Sequence, residues 1–169
     1  MKITRRHLLA LSAGTAAAGA IGAGGLAISW WDTPAQAPFQ NLSSDEAAFV
    51  RAWAGASFPA TELTPIDGAQ AKLDHFFDEM VGVMPVDTAK LLRLLINGLN
   101  ALPLTTDGAH FTQLDPATQK QVFETWTHTD VSAFRSATQS LVLLLGMGWS
   151  THPQVAPTMQ KLHSCGYGR

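Results

Sequence analysis

The chain has 169 residues, with 11 Lys plus Arg against 13 Asp plus Glu, one Cys and a net charge of −2. That length holds one modest domain and a leader, and leaves no room for a dinucleotide domain joined to a substrate domain. The charge balance gives no support to nucleic-acid binding, and a single Cys excludes an intrachain disulfide, an all-Cys zinc site and an iron–sulfur cluster supplied by this chain alone.

The first forty residues differ from the rest. Lys2, Arg5 and Arg6 make a basic start, and residues 8–31 carry no charge and consist mostly of Ala, Gly and Leu. Ala35-Gln36-Ala37 then offers a small-x-small cleavage signature. The segment Thr4-Arg5-Arg6-His7-Leu8-Leu9 resembles a twin-arginine export motif, with Arg5, Arg6, Leu8 and Leu9 as its readable positions. Residues 1–37 are therefore expected to be an export signal and residues 38–169 the exported body. The 24 uncharged positions are also long enough for a span of about 20 residues, so a retained anchor is the alternative to cleavage after Ala37. Pro38 is an awkward residue to follow a cut. Gly22-x-Gly24 lies in the leader with no strand before it and is no dinucleotide fingerprint.

Beyond the leader the pattern is helical. Ser43 with Glu46 three residues on predicts a capping box, and Phe49, Val50 and Trp53 share one face of the helix that follows. Gly55 and Phe58-Pro59 end it. A second helix is expected from Pro65, with Leu73, Phe76, Phe77 and Met80 as its apolar stripe and Gly82 and Pro85 as its stop. A third is expected from Val86 to Leu102. Its leucines cover more than half its circumference, which predicts the central, most buried helix. After a loop over 103–114, Asp115-Pro116 caps and starts a fourth helix bearing Val122, Phe123 and Trp126. A fifth opens near Asp130 and is expected to end over Gly146, Gly148 and the stretch Ser150 to Pro153, and a short sixth lies near Pro157 to Leu162. No stretch alternates with period two. The fold class is all-α, a small bundle of five to six helices.

The search for chemistry returns little. The six His have no HExxH or ExxH spacing, so a metal site has no sequence support. Cys165 with His163 lacks the rigid placement that nucleophilic catalysis requires. Asp74, Asp78 and Glu79 read as a solvated helix face. No catalytic, cofactor-binding or metal-binding residue is assigned, and the chain by itself is not expected to be an enzyme. In a bundle this small Trp53, Trp126 and Trp149 are expected mostly in the core, but buried aromatic residues also anchor many interfaces, and the candidate partner interface is Phe58, Trp149, His152, Pro153, Cys165 and Tyr167. Twin-arginine signals commonly export folded, cofactor-loaded proteins. A leader of this kind on a body without cofactor motifs suggests that the body escorts something else.

The order of several motifs carries a resemblance. They are the twin-arginine leader, Phe58-Pro59, Thr64-Pro65-Ile66-Asp67-Gly68, Phe76-Phe77, Phe111 with Leu114, Phe123-Glu124-x-Trp126, Arg135, Leu143 to Trp149, His152-Pro153 and the terminal Gly166-Tyr167-Gly168. In this order the chain resembles the small subunits of membrane-associated flavin dehydrogenase complexes, the gluconate 2-dehydrogenase subunit 3 family. The resemblance implies a catalytic partner of the glucose–methanol–choline type that holds FAD and oxidises a sugar or alcohol. It also implies an electron acceptor, either a multihaem cytochrome c with haem c in a further subunit or another acceptor, and no cofactor in this chain. The small subunit then carries the signal read by the twin-arginine translocase, takes its flavoprotein to the periplasm and stabilises it at the cytoplasmic membrane. Trp149 stands where relatives carry Tyr or Phe, and Cys165 has no role to carry over.

Overall fold

The computed structural model describes residues 33–162, and the compact unit begins at Pro34. Among the described residues six α-helices, two short 3₁₀ turns and no strand make up the regular structure, so the fold is all-α. The helices are α1 (Ser44–Ser57), α2 (Leu73–Val83), α3 (Val86–Ala101), α4 (Pro116–Thr127), α5 (Ser132–Thr151) and α6 (Ala156–Leu162). The 3₁₀ turns, Leu102–Thr105 and Phe111–Gln113, lie between α3 and α4.

Helix starts follow local chemistry where the sequence supplies a cap. Ser43 accepts the Glu46 N–H while the Glu46 carboxylate accepts the Ser43 N–H, so both halves of the capping box of α1 are made. Asp115 accepts the N–H groups of Ala117 and Thr118 at the start of α4, and Pro116 occupies the first turn, where its missing N–H costs nothing.

The expected start of the second helix at Pro65 is eight residues early. Residues 65–72 are instead turns laid against the end of α1. The Gly68 N–H donates to the Phe58 carbonyl at 2.8 Å. A Cβ on Gly68 would lie 2.2 Å from the Ala54 carbonyl oxygen, so only glycine permits this approach of backbone to backbone. Asp67 accepts the Gln70 N–H at 2.7 Å, and Lys72 takes a left-handed conformation (φ 54°) immediately before α2. These contacts hold the segment away from helical geometry until Leu73.

The centre of the bundle also differs from expectation. It is α1, not the leucine-rich α3. Phe49, Val50, Trp53 and Ala54 of α1 have no solvent exposure, whereas α3 buries only Ile96 and Leu99. The reason is aromatic. Trp53 sits 5.1 Å from the ring of Phe123, 5.5 Å from Phe111 and 6.1 Å from Trp126, so α1, the second 3₁₀ turn and α4 meet on one indole. Rings at such separations add to the apolar burial of their large surfaces. The leucines of α3 outnumber the inward-facing positions that this cluster leaves for them.

The fifth helix runs through Gly146 and Gly148 and ends at Thr151, within the expected stretch Ser150 to Pro153. A Cβ on Gly148 would be 2.5 Å from the Phe76 ring, so this glycine lets α5 lie directly on α2. Loss of helix propensity at the glycine is about 1 kcal/mol, less than the packing it permits.

Candidate functional site

Two carboxylates of α2 that read as a solvated face are buried. Asp74 has no exposure, and Asp78 is 6% exposed; Glu79 alone faces solvent. Asp74 pairs with Arg51 of α1, whose Nε donates at 3.0 Å and whose Nη2 also reaches the same oxygen. Asp78 accepts three backbone N–H groups: Asn41 and Leu42 at 2.8 Å on Oδ1 and Gln40 at 3.0 Å on Oδ2. The acids work as ties between segments far apart in sequence. Burial of a carboxylate requires such partners, and none of them is visible in the local spacing.

A third tie joins α1 to α3. The Glu46 carboxylate accepts Arg93 Nε and Nη2, both at 2.9 Å, and Asn97 Nδ2 at 2.8 Å, while it also serves the capping box.

The sequence-derived interface residues fall into three groups. Trp149 is 6% exposed and stacks on half-buried Phe58, with ring centroids 5.5 Å apart and planes at 21°. The pair closes α5 against the end of α1, and Trp149 belongs to the core. His152 is half-buried and caps the end of α5, and Pro153 is exposed beside it. Cys165 and Tyr167 lie outside the described residues, as do Arg5, Arg6, Leu8 and Leu9 of the export motif. Ala35 and Ala37 of the cleavage signature are described, and both are exposed.

The described histidines stay apart. His75 lies against Phe39, His128 Nδ1 is 2.9 Å from the Glu124 carbonyl, and His152 Nδ1 accepts the Gln154 N–H. Among the described residues no three of His, Cys, Asp and Glu gather where a metal ion could sit. No described helix is long and apolar enough to cross a membrane.

Surface apolarity is the feature that sequence reasoning missed. An open groove of about 400 Å³ runs along α3 and is lined by Leu91, Leu94, Leu95, Gly98, Leu99 and Leu102, with Phe134 of α5 at its side. Leu91 is 59% exposed; on α5, Leu143 and Met147, four residues apart and so on one side of the helix, are 72% and 52% exposed. The signal was present in the excess of leucines on α3, but it was legible only once α1 was known to hold the centre. Apolar surface of this kind is what interfaces bury.

Comparison with known proteins returns no matching family, no similar curated protein and no similar solved structure.

Proposed function

We propose that this protein is a non-catalytic small subunit of an exported, FAD-dependent sugar or alcohol dehydrogenase complex. It takes the flavoprotein through the twin-arginine translocase and stabilises it in the periplasm, at the cytoplasmic membrane. The carrying observation is an export address, Arg5-Arg6-His7-Leu8-Leu9, on a helical body whose motif order resembles the gluconate 2-dehydrogenase subunit 3 family. Exposed apolar side chains such as Leu91, Leu143 and Met147 support it, because a chain that travels with a partner must form a specific interface before translocation.

On this reading the division of labour is physical. The flavin does the oxidation in the partner, and a cytochrome c with haem c, or another acceptor, receives the electrons. This chain contributes an address and a rigid docking body. The rigidity comes from the aromatic cluster around Trp53 and from the three carboxylate ties at Glu46, Asp74 and Asp78. Replacing Arg5 and Arg6 together by Lys tests the export role. The flavoprotein should then stay in the cytoplasm; its arrival in the periplasm would remove the escort role.

A further inference from the structure

The cleavage signature does not hang free of the folded body. The Gln36 N–H donates to the Leu42 carbonyl at 3.0 Å, and the Phe39 N–H donates to the Gln36 carbonyl at 2.9 Å. The Gln36 side-chain oxygen accepts the Ser44 hydroxyl at 2.6 Å. Residues 36–44 thus close on themselves at the start of α1. The closed segment is fastened to α2 by the Asp78 carboxylate, which takes the N–H groups of Gln40, Asn41 and Leu42. Asn41 Nδ2 donates to the Asp78 carbonyl at 2.9 Å, and a Cβ on Gly82 would come within 2.7 Å of that nitrogen, so the glycine makes its seat. Phe39 packs on His75 with ring centroids 5.0 Å apart, and Leu42 has no exposure.

A peptidase binds its substrate as an extended strand, with main-chain groups free to pair in the enzyme's cleft. Beside the Ala37–Pro38 bond two of those groups are already engaged. Gln36 has spent its N–H and C=O, and Pro38 has no N–H. Exposure of Ala35 and Ala37 is therefore not access. Presenting the site requires residues 36–42 to leave α2, which breaks three bonds to a buried carboxylate and withdraws Phe39 and Leu42 from the body.

We propose that the folded body masks its own cleavage site, so that the leader is retained and the subunit stays tethered through residues 8–31. The device is the Asp78 clamp. It acts only after folding, which suits a protein exported folded. The inference rests on reading residues 1–37 as an export leader, but its test does not depend on export.

The test uses the full chain, purified in detergent and incubated with a type I signal peptidase, with products read by intact mass. The comparison is a variant with a second Ala-Gln-Ala-Pro, which keeps the proline after the cut, followed by ten Gly and Ser residues, inserted between Thr33 and Pro34. This leaves the clamp and the apolar segment untouched. The variant should be cut at the inserted copy, and the natural chain on the order of a hundredfold more slowly, because cleavage then waits on local opening. Asp78→Asn should raise the rate of hydrolysis after Ala37, with the far-ultraviolet circular dichroism of the body retained. Cleavage of the natural chain after Ala37 as fast as the inserted copy would overturn the proposal. So would an insertion variant that resists the enzyme equally, since the fold would then not be the cause. Cell fractionation judges the export reading separately: a chain confined to the cytoplasm would refute that reading and leave the peptidase result standing.

Discussion

Replacing Glu46 with Ala should be among the most damaging single changes in the body. The side chain is fully buried and serves two structures at once. It completes the α1 capping box through the Ser43 N–H, and it holds Arg93 and Asn97 of α3. Truncation removes the carboxylate from an arginine side chain that is itself only 13% exposed. Breaking one side of a buried pair costs about 3–5 kcal/mol, because the remaining charge keeps its desolvation penalty. The lost reciprocal cap adds about 1 kcal/mol, without strict additivity because one carboxylate serves both. A body of this size has a total stability of about 5–15 kcal/mol, so the variant should sit near the edge of folding. Urea unfolding of the full chain in a mild detergent, followed by Trp fluorescence and circular dichroism, measures the loss. Glu79→Ala on the exposed side of α2 is the control and should change stability by about 0.5 kcal/mol or less. The double replacement Glu46→Leu with Arg93→Met removes both charges and should lose less than Glu46→Ala alone. If Glu46→Ala proved as mild as Glu79→Ala, or if the double replacement were the worse of the two, the buried-charge reasoning would be refuted.

Other outcomes follow from close approaches and exposed surface. Gly68→Ala drives a Cβ into the Ala54 carbonyl and should destabilise by about 1–3 kcal/mol, while Gly98→Ala, with no atom within 4 Å of its new carbon, should stabilise α3 by about 0.5–1 kcal/mol; thermal unfolding of the two variants checks the contrast. Trp149→Ala should cost about 3–5 kcal/mol of stability through loss of its stack on Phe58, and should weaken partner association or solubility more than Lys120→Ala; equal effects in a binding assay would contradict that order. Leu143→Asp lies on exposed surface, so it should leave the unfolding curve unchanged and reduce the flavoprotein recovered with a tagged chain. The Thr118 hydroxyl and N–H, with the Ala117 N–H, hold the Asp115 carboxyl below its ordinary value of 3.8. Its contribution to α4 is thus fully present above that value and is lost as pH falls through the lowered one; Thr118→Ala should move the titration, followed by NMR, back toward the ordinary range.

The legible parts of the fold were those fixed by neighbours in sequence. Ser43 with Glu46 and Asp115 with Pro116 each place a helix start to within a residue, because a cap acts over three or four positions, while Pro85, which makes no cap bond, separates α2 from α3 as a helix breaker. The start of α2 was misjudged because the turn over residues 65–72 is enforced by Gly68 meeting Ala54 and Phe58, contacts that no local pattern encodes. The central helix was misjudged for a related reason. Counting leucines favoured α3, but the large rings of Phe49 and Trp53 claim the centre for α1 and leave α3 with apolar side chains facing outward. Asp74 and Asp78 looked like surface acids, since their partners lie at Arg51 and at residues 40–42. Trp149 was readable as either core or anchor, and its stack on Phe58 places it in the core.

The most direct measurement is purification of the full chain through a tag, from its native cells and after expression alone. Flavin absorbance should appear in the complex and be missing from the chain purified alone, with the flavin assigned to the larger subunit once the two are separated. Flavin, haem or a catalytic metal held tightly by the isolated chain would contradict the division of address and chemistry between two polypeptides.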